Sequence, residues 1–131
     1  MTARLYTPAD YPTVAEWFAA HGQPAVPEAV LPACGVVMED AEGRAACAAW
    51  LYQAQGVSVA WLAWMVSNPA LTPMQAEDAL NGLVGASEAV ARDLGATVMF
   101  TMTERRGLGA LLQRRGFTPN HRGMTQFFRQ L

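Results

Sequence analysis

The chain has 131 residues, of which 52% are hydrophobic and 15% charged, and a net charge of −2. One domain with a real core fits these values and disorder does not. The slight negative charge speaks against nucleic acid as the main partner, and with no lysine there is no Schiff-base or phosphate-loop lysine.

The opening residues, MTARLYTPADYPTVAEW, lack a basic-then-apolar leader pattern, and no apolar run is long enough to span a bilayer. The reading is a cytoplasmic protein that does not enter a membrane. Cys34 and Cys47 lack metal-ligand spacing, and the two histidines do not complete a site, so no metal is expected. The cysteines could be neighbours across a hairpin and form a disulfide. Two buried reduced thiols better suit a cytoplasmic chain.

In chain order, Arg4–Tyr6 reads as a strand and Thr7-Pro8-Ala9-Asp10 as a turn in which Thr7 or Asp10 caps the next helix. Tyr11–Ala20 reads as that helix, with Val14, Trp17 and Phe18 inward, ended by His21-Gly22. Residues 23–34 hold Pro24, Pro27 and Pro32, too many for a helix; they form a loop with one turn at Glu28–Leu31. Gly35–Glu39 and Arg44–Gln53 form a hairpin about Asp40-Ala41-Glu42-Gly43.

Val57–Ser67 is apolar on both faces and is therefore a central strand. Strict alternation places Val57, Val59, Trp61, Ala63 and Met65 on one face, and Ala60, Leu62, Trp64 and Val66 on the other. A long helix runs from Pro73 to Leu94. Thr72 is its N-cap, Gln75 completes a capping box, and Gly95 stops it. Gly82 and Gly85 inside it each cost about 1 kcal/mol against Ala, which close packing on the sheet would offset. Thr97–Thr103 is a strand parallel to the central one, joined by a right-handed crossover. Arg105–Arg115 is a short helix with Leu108, Leu111 and Leu112 inward, and Arg114 and Arg115 at its C-terminal end. Phe117–Pro119 and Met124–Arg129 read as two final strands joined by residues 120–123.

This order resembles the GNAT superfamily of acetyl-CoA-dependent N-acetyltransferases. The resemblance is carried by Arg4-Leu5-Tyr6 with Asp10, by Met65-Val66-Ser67-Asn68-Pro69, and by Leu111-Leu112-Gln113-Arg114-Arg115-Gly116-Phe117. It implies an α/β (α+β) fold: a mixed, mostly antiparallel central sheet with helices on both faces, in a single domain over 1–131. It also implies acetyl-CoA as cofactor. The pantetheine arm would lie along Met65, Val66 and Ser67, and the pyrophosphate on the helix start at Thr72, Pro73, Met74, Gln75 and Ala76. Thr103, with Thr101, would touch the pantetheine arm, and Arg106, with Arg105, would reach the phosphates. The acceptor would be a small-molecule or peptide amine, held between the 21–34 loop and the 118–123 hairpin. Neither nucleic acid nor membrane is an implied partner, and a homodimer is among the assemblies it allows.

Two departures from the family pattern bear on function. The family's Arg/Gln-x-x-Gly-x-Gly/Ala loop falls on Thr72, Gln75 and Glu77, without a glycine and with a carboxylate that would repel a pyrophosphate. The tyrosine that in many members protonates the leaving thiolate is replaced by Leu112, and the central strand has no glutamate to serve as base. No catalytic residue is assigned. The acid/base groups near the expected cleft are Glu39, Tyr52, His21 and His121. Each also has a structural reading: a solvated carboxylate, a packing tyrosine, a helix-end histidine and a hairpin residue. Trp50, Trp61 and Trp64 could line an acceptor pocket, and at least two of them read as core. Two functions stay open: an N-acyltransferase using acetyl-CoA, or a non-catalytic binding or assembly module. A domain for a different acyl carrier is a third.

Overall fold

A computed structural model describes residues 1–131. The elements are β1 (Thr2–Leu5), α1 (Tyr11–Ala20), β2 (Gly35–Glu39), β3 (Ala45–Gln53), β4 (Val59–Ser67), α2 (Pro73–Asp93), β5 (Val98–Thr101) and α3 (Arg106–Arg114). One sheet runs in the order β1-β2-β3-β4-β5, antiparallel throughout except for the parallel pair β4–β5. This is the mixed, mostly antiparallel sheet with helices on both faces expected from the sequence. The crossover through α2 accounts for the one parallel pair.

Strand alternation divides the core in two. On one face Val36, Met38, Ala49, Leu51, Ala60 and Leu62 pack against Ala79, Leu83 and Val84 of α2 and Leu111 and Leu112 of α3. On the other, Val37, Ala48, Trp50 and Val66 pack against Val14, Trp17 and Phe18 of α1. Ala46 and Ala49 of β3 face α2, where small side chains let the helix lie close to the sheet; Ala48 lies on the α1 face. Close approach also explains Gly82, where an added Cβ would lie 2.9 Å from Met38 Cε. Gly85 has a different cause. Its Cβ would lie 2.9 Å from Nη2 of Arg115, whose guanidinium bonds Glu88 at 3.0 Å and Asn81 at 3.1 Å.

Several expectations need correction. The strands expected at Phe117–Pro119 and Met124–Arg129 do not form; Phe117 N bonds Leu112 O, but beyond it the chain joins no strand, and residues 118–131 are exposed. Pro119 cannot donate to a ladder, and Phe127 and Phe128 are adjacent, so alternation cannot bury both. β1 begins earlier than expected, at Thr2, and β5 is confined to Val98–Thr101. Cys34 and Cys47 are free thiols, the state the sequence favoured, but Cys34 is only half-buried. Leu51 N donates to Cys34 O, whereas Cys47 pairs with Met38, so the two lie well apart along the ladder. Burial pushes the Cys47 thiol up to about 12. Glu39 is not free in solvent: it accepts from Arg4 Nε.

Arg4 ties the first strand to the turn before α1. It bonds both oxygens of Asp10 at 2.8 Å, and Asp10 also accepts from Thr7 N at 2.9 Å. The Arg4 guanidinium holds the Asp10 carboxyl below its ordinary value, against the opposing effect of burial. A depressed folded-state value stabilises above the unfolded value, and this contribution is lost as pH falls through the folded one. Arg4 is 34% exposed, so solvent screens the pair. Arg4→Ala is therefore expected to cost about 1–2 kcal/mol in urea unfolding at pH 7. That difference should shrink as pH falls through the lowered Asp10 value; a loss that does not change with pH would contradict the assignment.

Candidate active site

Strand β4 is bulged. Ala48 pairs with Val66 and Trp50 with Ala63, so Ala49 alone faces Trp64 and Met65. Trp64 takes the extra turn with φ of 60°, a region bulky side chains rarely enter. Its indole Nε1 donates to Tyr52 Oη at 2.8 Å, and Tyr52 Oη donates to Val30 O at 2.7 Å. The bulge is thus held from β3 and from the 23–34 loop. It also overturns the strict alternation expected for this strand. Ala60 and Leu62 face α2, while Trp64 and Val66 join the cluster under α1. Trp50 is fully buried and Trp64 packs on the same cluster, whereas Trp61 is exposed and stacks on Phe100. Nothing in the sequence marks the bulge, because the positive φ falls on Trp rather than Gly.

Removing the Tyr52 hydroxyl should loosen this arrangement. Tyr52→Phe breaks both bonds, with an expected cost of about 1 kcal/mol in urea unfolding. Unchanged stability would show that these bonds do not hold the bulge.

The bulge leads into an opening. β5 pairs with β4 only as far as Leu62–Thr101, where Thr101 Oγ1 donates to Leu62 O at 2.9 Å. From Ala63 to Ser67, β4 has no partner on that side. Asn68 N bonds Ala46 O, which makes 46–68 a hydrogen-bonded pair and the neighbouring Cys47–Ser67 a non-bonded one. The N–H and C=O of Ser67 therefore point away from β3, toward the open edge. That carbonyl lies 2.8 Å from His21 Nε2, at the end of α1. A carbonyl oxygen can only accept, so Nε2 carries the proton and Nδ1 is the free acceptor of the ring.

At the far end of the opening stands the first turn of α2. Thr72 N donates to Gln75 Oε1 at 2.9 Å and Gln75 N to Thr72 Oγ1 at 3.3 Å, the capping box expected from the sequence. Pro73 has no N–H, and Ala76 N already bonds Thr72 O. Of the donors a helix start normally offers, only Met74 N has no protein partner. Glu77 is paired with Arg114 Nη2 at 2.6 Å, so α3 supplies a counter-charge to the carboxylate expected to repel phosphate.

The other sequence candidates fall around α3, in the tail and in the 23–34 loop. Thr103 Oγ1 accepts from Arg105 N at 3.0 Å, before α3. Arg106 opens α3, exposed and outside any ion pair. Arg114 and Arg115 are turned to Glu77 and Glu88 rather than to the helix end. Leu112 is a core residue. His121 lies in the exposed tail, so the 118–123 hairpin expected as a wall of the acceptor site is absent. The 23–34 loop is pinned to the sheet by Tyr52 and by Tyr11 Oη, which donates to Val26 O at 2.9 Å. No three His, Cys, Asp or Glu side chains come together as a metal-binding group, and no helix is long and apolar enough to cross a membrane.

The contact that sequence reasoning underrated is His21. It extends the stripe Val14-Trp17-Phe18 by one helical step, so the period that buries those residues also turns His21 toward the sheet.

Solved structures share this architecture. An acetyltransferase from Trypanosoma brucei superposes with a TM-score of 0.70 at 16% identity, covering 97% of this chain and 99% of that one. The fold is that of the GNAT acetyltransferases. The GNAT-family N-acetyltransferase YhbS of Escherichia coli, solved with CoA, matches at 17% identity and TM-score 0.65 over 89% of this chain and 68% of its own. Rv2747 of Mycobacterium tuberculosis, also solved with CoA, matches at 18% identity and TM-score 0.69 over 95% of this chain and 76% of its own. No family model and no curated protein matches the chain by sequence. A GNAT fold accounts for the parallel β4–β5 pair and the opening beside it; at these identities it is the fold alone that is shared.

Proposed function

We propose that the chain is an N-acetyltransferase that takes acetyl-CoA into the opening between β4 and β5. The observation that carries this reading is the β4 edge from Ala63 to Ser67, unpaired, bulged at Trp64 and running directly into α2. An extended pantetheine arm would complete that edge as a short strand lying along Met65, Val66 and Ser67, with its amides bonding the outward-facing backbone groups, those of Ser67 among them. Its pyrophosphate would lie by Thr72, Pro73, Met74, Gln75 and Ala76, where Met74 N remains free, with Thr103 and Arg106 across the opening. The acceptor, a small-molecule or peptide amine, would approach from the α1 side. Its nitrogen would attack the thioester carbon; the C–N bond forms, the C–S bond breaks, and CoA leaves as thiolate. Leu112 donates no proton to that thiolate, so solvent must supply it.

A second reading is a GNAT-fold binding module without turnover, favoured by the closed capping box on α2. Release of free thiol from acetyl-CoA across a panel of alkylamines, amino acids and short peptides separates the two. Amine-dependent release supports the enzyme. Binding of acetyl-CoA with no release for any amine supports the module.

A further inference from the structure

We infer that the open edge of β5 and the apolar face beside it are covered by the C-terminal tail of a second copy of this chain, each copy lending its tail to the other. The contact does not rest on the acetyltransferase reading, and the opening beside β4 lies on the other side of β5. As the last strand of the sheet, β5 pairs with β4 on one side and with no strand on the other. A bare strand edge offers its unpaired backbone groups to another chain, and charge or proline usually blunts it. Val98-Met99-Phe100-Thr101 has neither. On the face opposite α2, Trp61 and Phe100 stack with ring centres 5.8 Å apart, and both stay exposed. Val98 beside them and Met102 just past the strand are exposed as well.

The tail supplies what this surface lacks. Residues 118–131 are exposed and join no strand; Phe127 and Phe128 are 88% and 95% exposed, and Met124 and Leu131 are bare too. Added beside β5, the run Met124–Arg129 would extend the sheet by one strand. The charges are complementary. The tail holds Arg122 and Arg129 and no acid, the rest of the chain is net negative, and Glu104, just past β5, is exposed and in no ion pair. Two observations favour a second copy over the chain's own tail. Within one chain both surfaces stay bare. A strand added at a sheet edge also buries only one of two adjacent phenylalanines against that sheet, whereas between two copies its other face meets protein too. The area suffices. At about 150–250 Å² for an aromatic side chain, the exposed parts of these patch and tail residues come to roughly 1,000 Å² per chain, against roughly 800 Å² per partner in a standard interface. Fully extended, residues 118–131 reach about 45 Å, enough to cross between molecules. The exchange is reciprocal and closes on itself, so it stops at two copies.

Sedimentation velocity of the full chain over a range of concentrations tests this, with hydrogen exchange of the β5 amides followed on the same samples. The wild-type protein is expected to be a dimer in which those amides exchange slowly. Phe127→Ser/Phe128→Ser changes side chains that are bare in the single chain, so the fold should keep its circular dichroism. The dimer should weaken at least about hundredfold, and β5 exchange should become fast. Phe100→Glu should act in the same way from the other side of the contact; if it does not fold, the tail variant decides alone. A wild-type chain that is monomeric at submillimolar concentration would overturn the inference, and slow β5 exchange in that monomer would show the tail folded onto its own chain. A dimer that the tail variant leaves intact would also overturn it and place the interface elsewhere.

Discussion

Gly35→Ala is expected to lose about 3 kcal/mol of unfolding free energy, the upper part of the range for overpacking a core. The added Cβ would lie 2.7 Å from Trp50 Cδ1, 2.8 Å from Trp50 Nε1 and 2.8 Å from Tyr6 Cβ. Neither neighbour can give way easily. Trp50 is fully buried, and Tyr6 packs on it edge to face with ring centres 5.1 Å apart. In open space the same change would gain about 0.4–1 kcal/mol by restricting the unfolded chain, so sterics decides the sign. Against a typical total of about 5–15 kcal/mol, the loss is a large share of stability. Gly82→Ala provides the contrast. There the Cβ meets only the flexible end of Met38, and a change below about 1 kcal/mol is expected. Urea unfolding of both variants checks the pair; a Gly35→Ala protein as stable as wild type would contradict the packing described for this face.

The second large effect concerns the start of α2. The capping box and Pro73 leave one free amide, Met74 N, where a pyrophosphate would rest. The double variant Thr72→Gly/Gln75→Gly frees the amides of positions 72 and 75 as well. Each hydrogen bond to a charged group contributes about 1.5–3 kcal/mol, partly offset by the freedom of the glycines. CoA is therefore expected to bind about tenfold more tightly, roughly 1.4 kcal/mol. Pantetheine, which has no pyrophosphate, should bind as before. Gly at the cap should cost only a few tenths of a kcal/mol and Gly at position 75 somewhat more, so stability should fall by about 1 kcal/mol. Calorimetric titration with both ligands checks this; equal gains for CoA and pantetheine, or none, would place the phosphates elsewhere.

The elements with strong local signals were legible in the sequence. Thr72-Pro73 and Gln75 mark the start of α2, Val14-Trp17-Phe18 the buried face of α1, and Asp40–Gly43 the hairpin. The order of these elements was enough to suggest the fold. What could not be read depended on partners distant in sequence. The bulge at Trp64 is set by Tyr52 and Val30, the neutralisation of Glu77 by Arg114, and the placing of His21 by Ser67. The tail misled because Phe117, Met124, Phe127 and Phe128 have strand-like composition but lack a register that buries them together.

The central claim is that the opening beside β4 holds acetyl-CoA. Calorimetric titration of the purified protein with acetyl-CoA and with CoA, at low and moderate salt, tests it most directly. Saturable one-to-one binding that weakens as salt rises is the result this structure predicts. No heat of binding at millimolar ligand would contradict it.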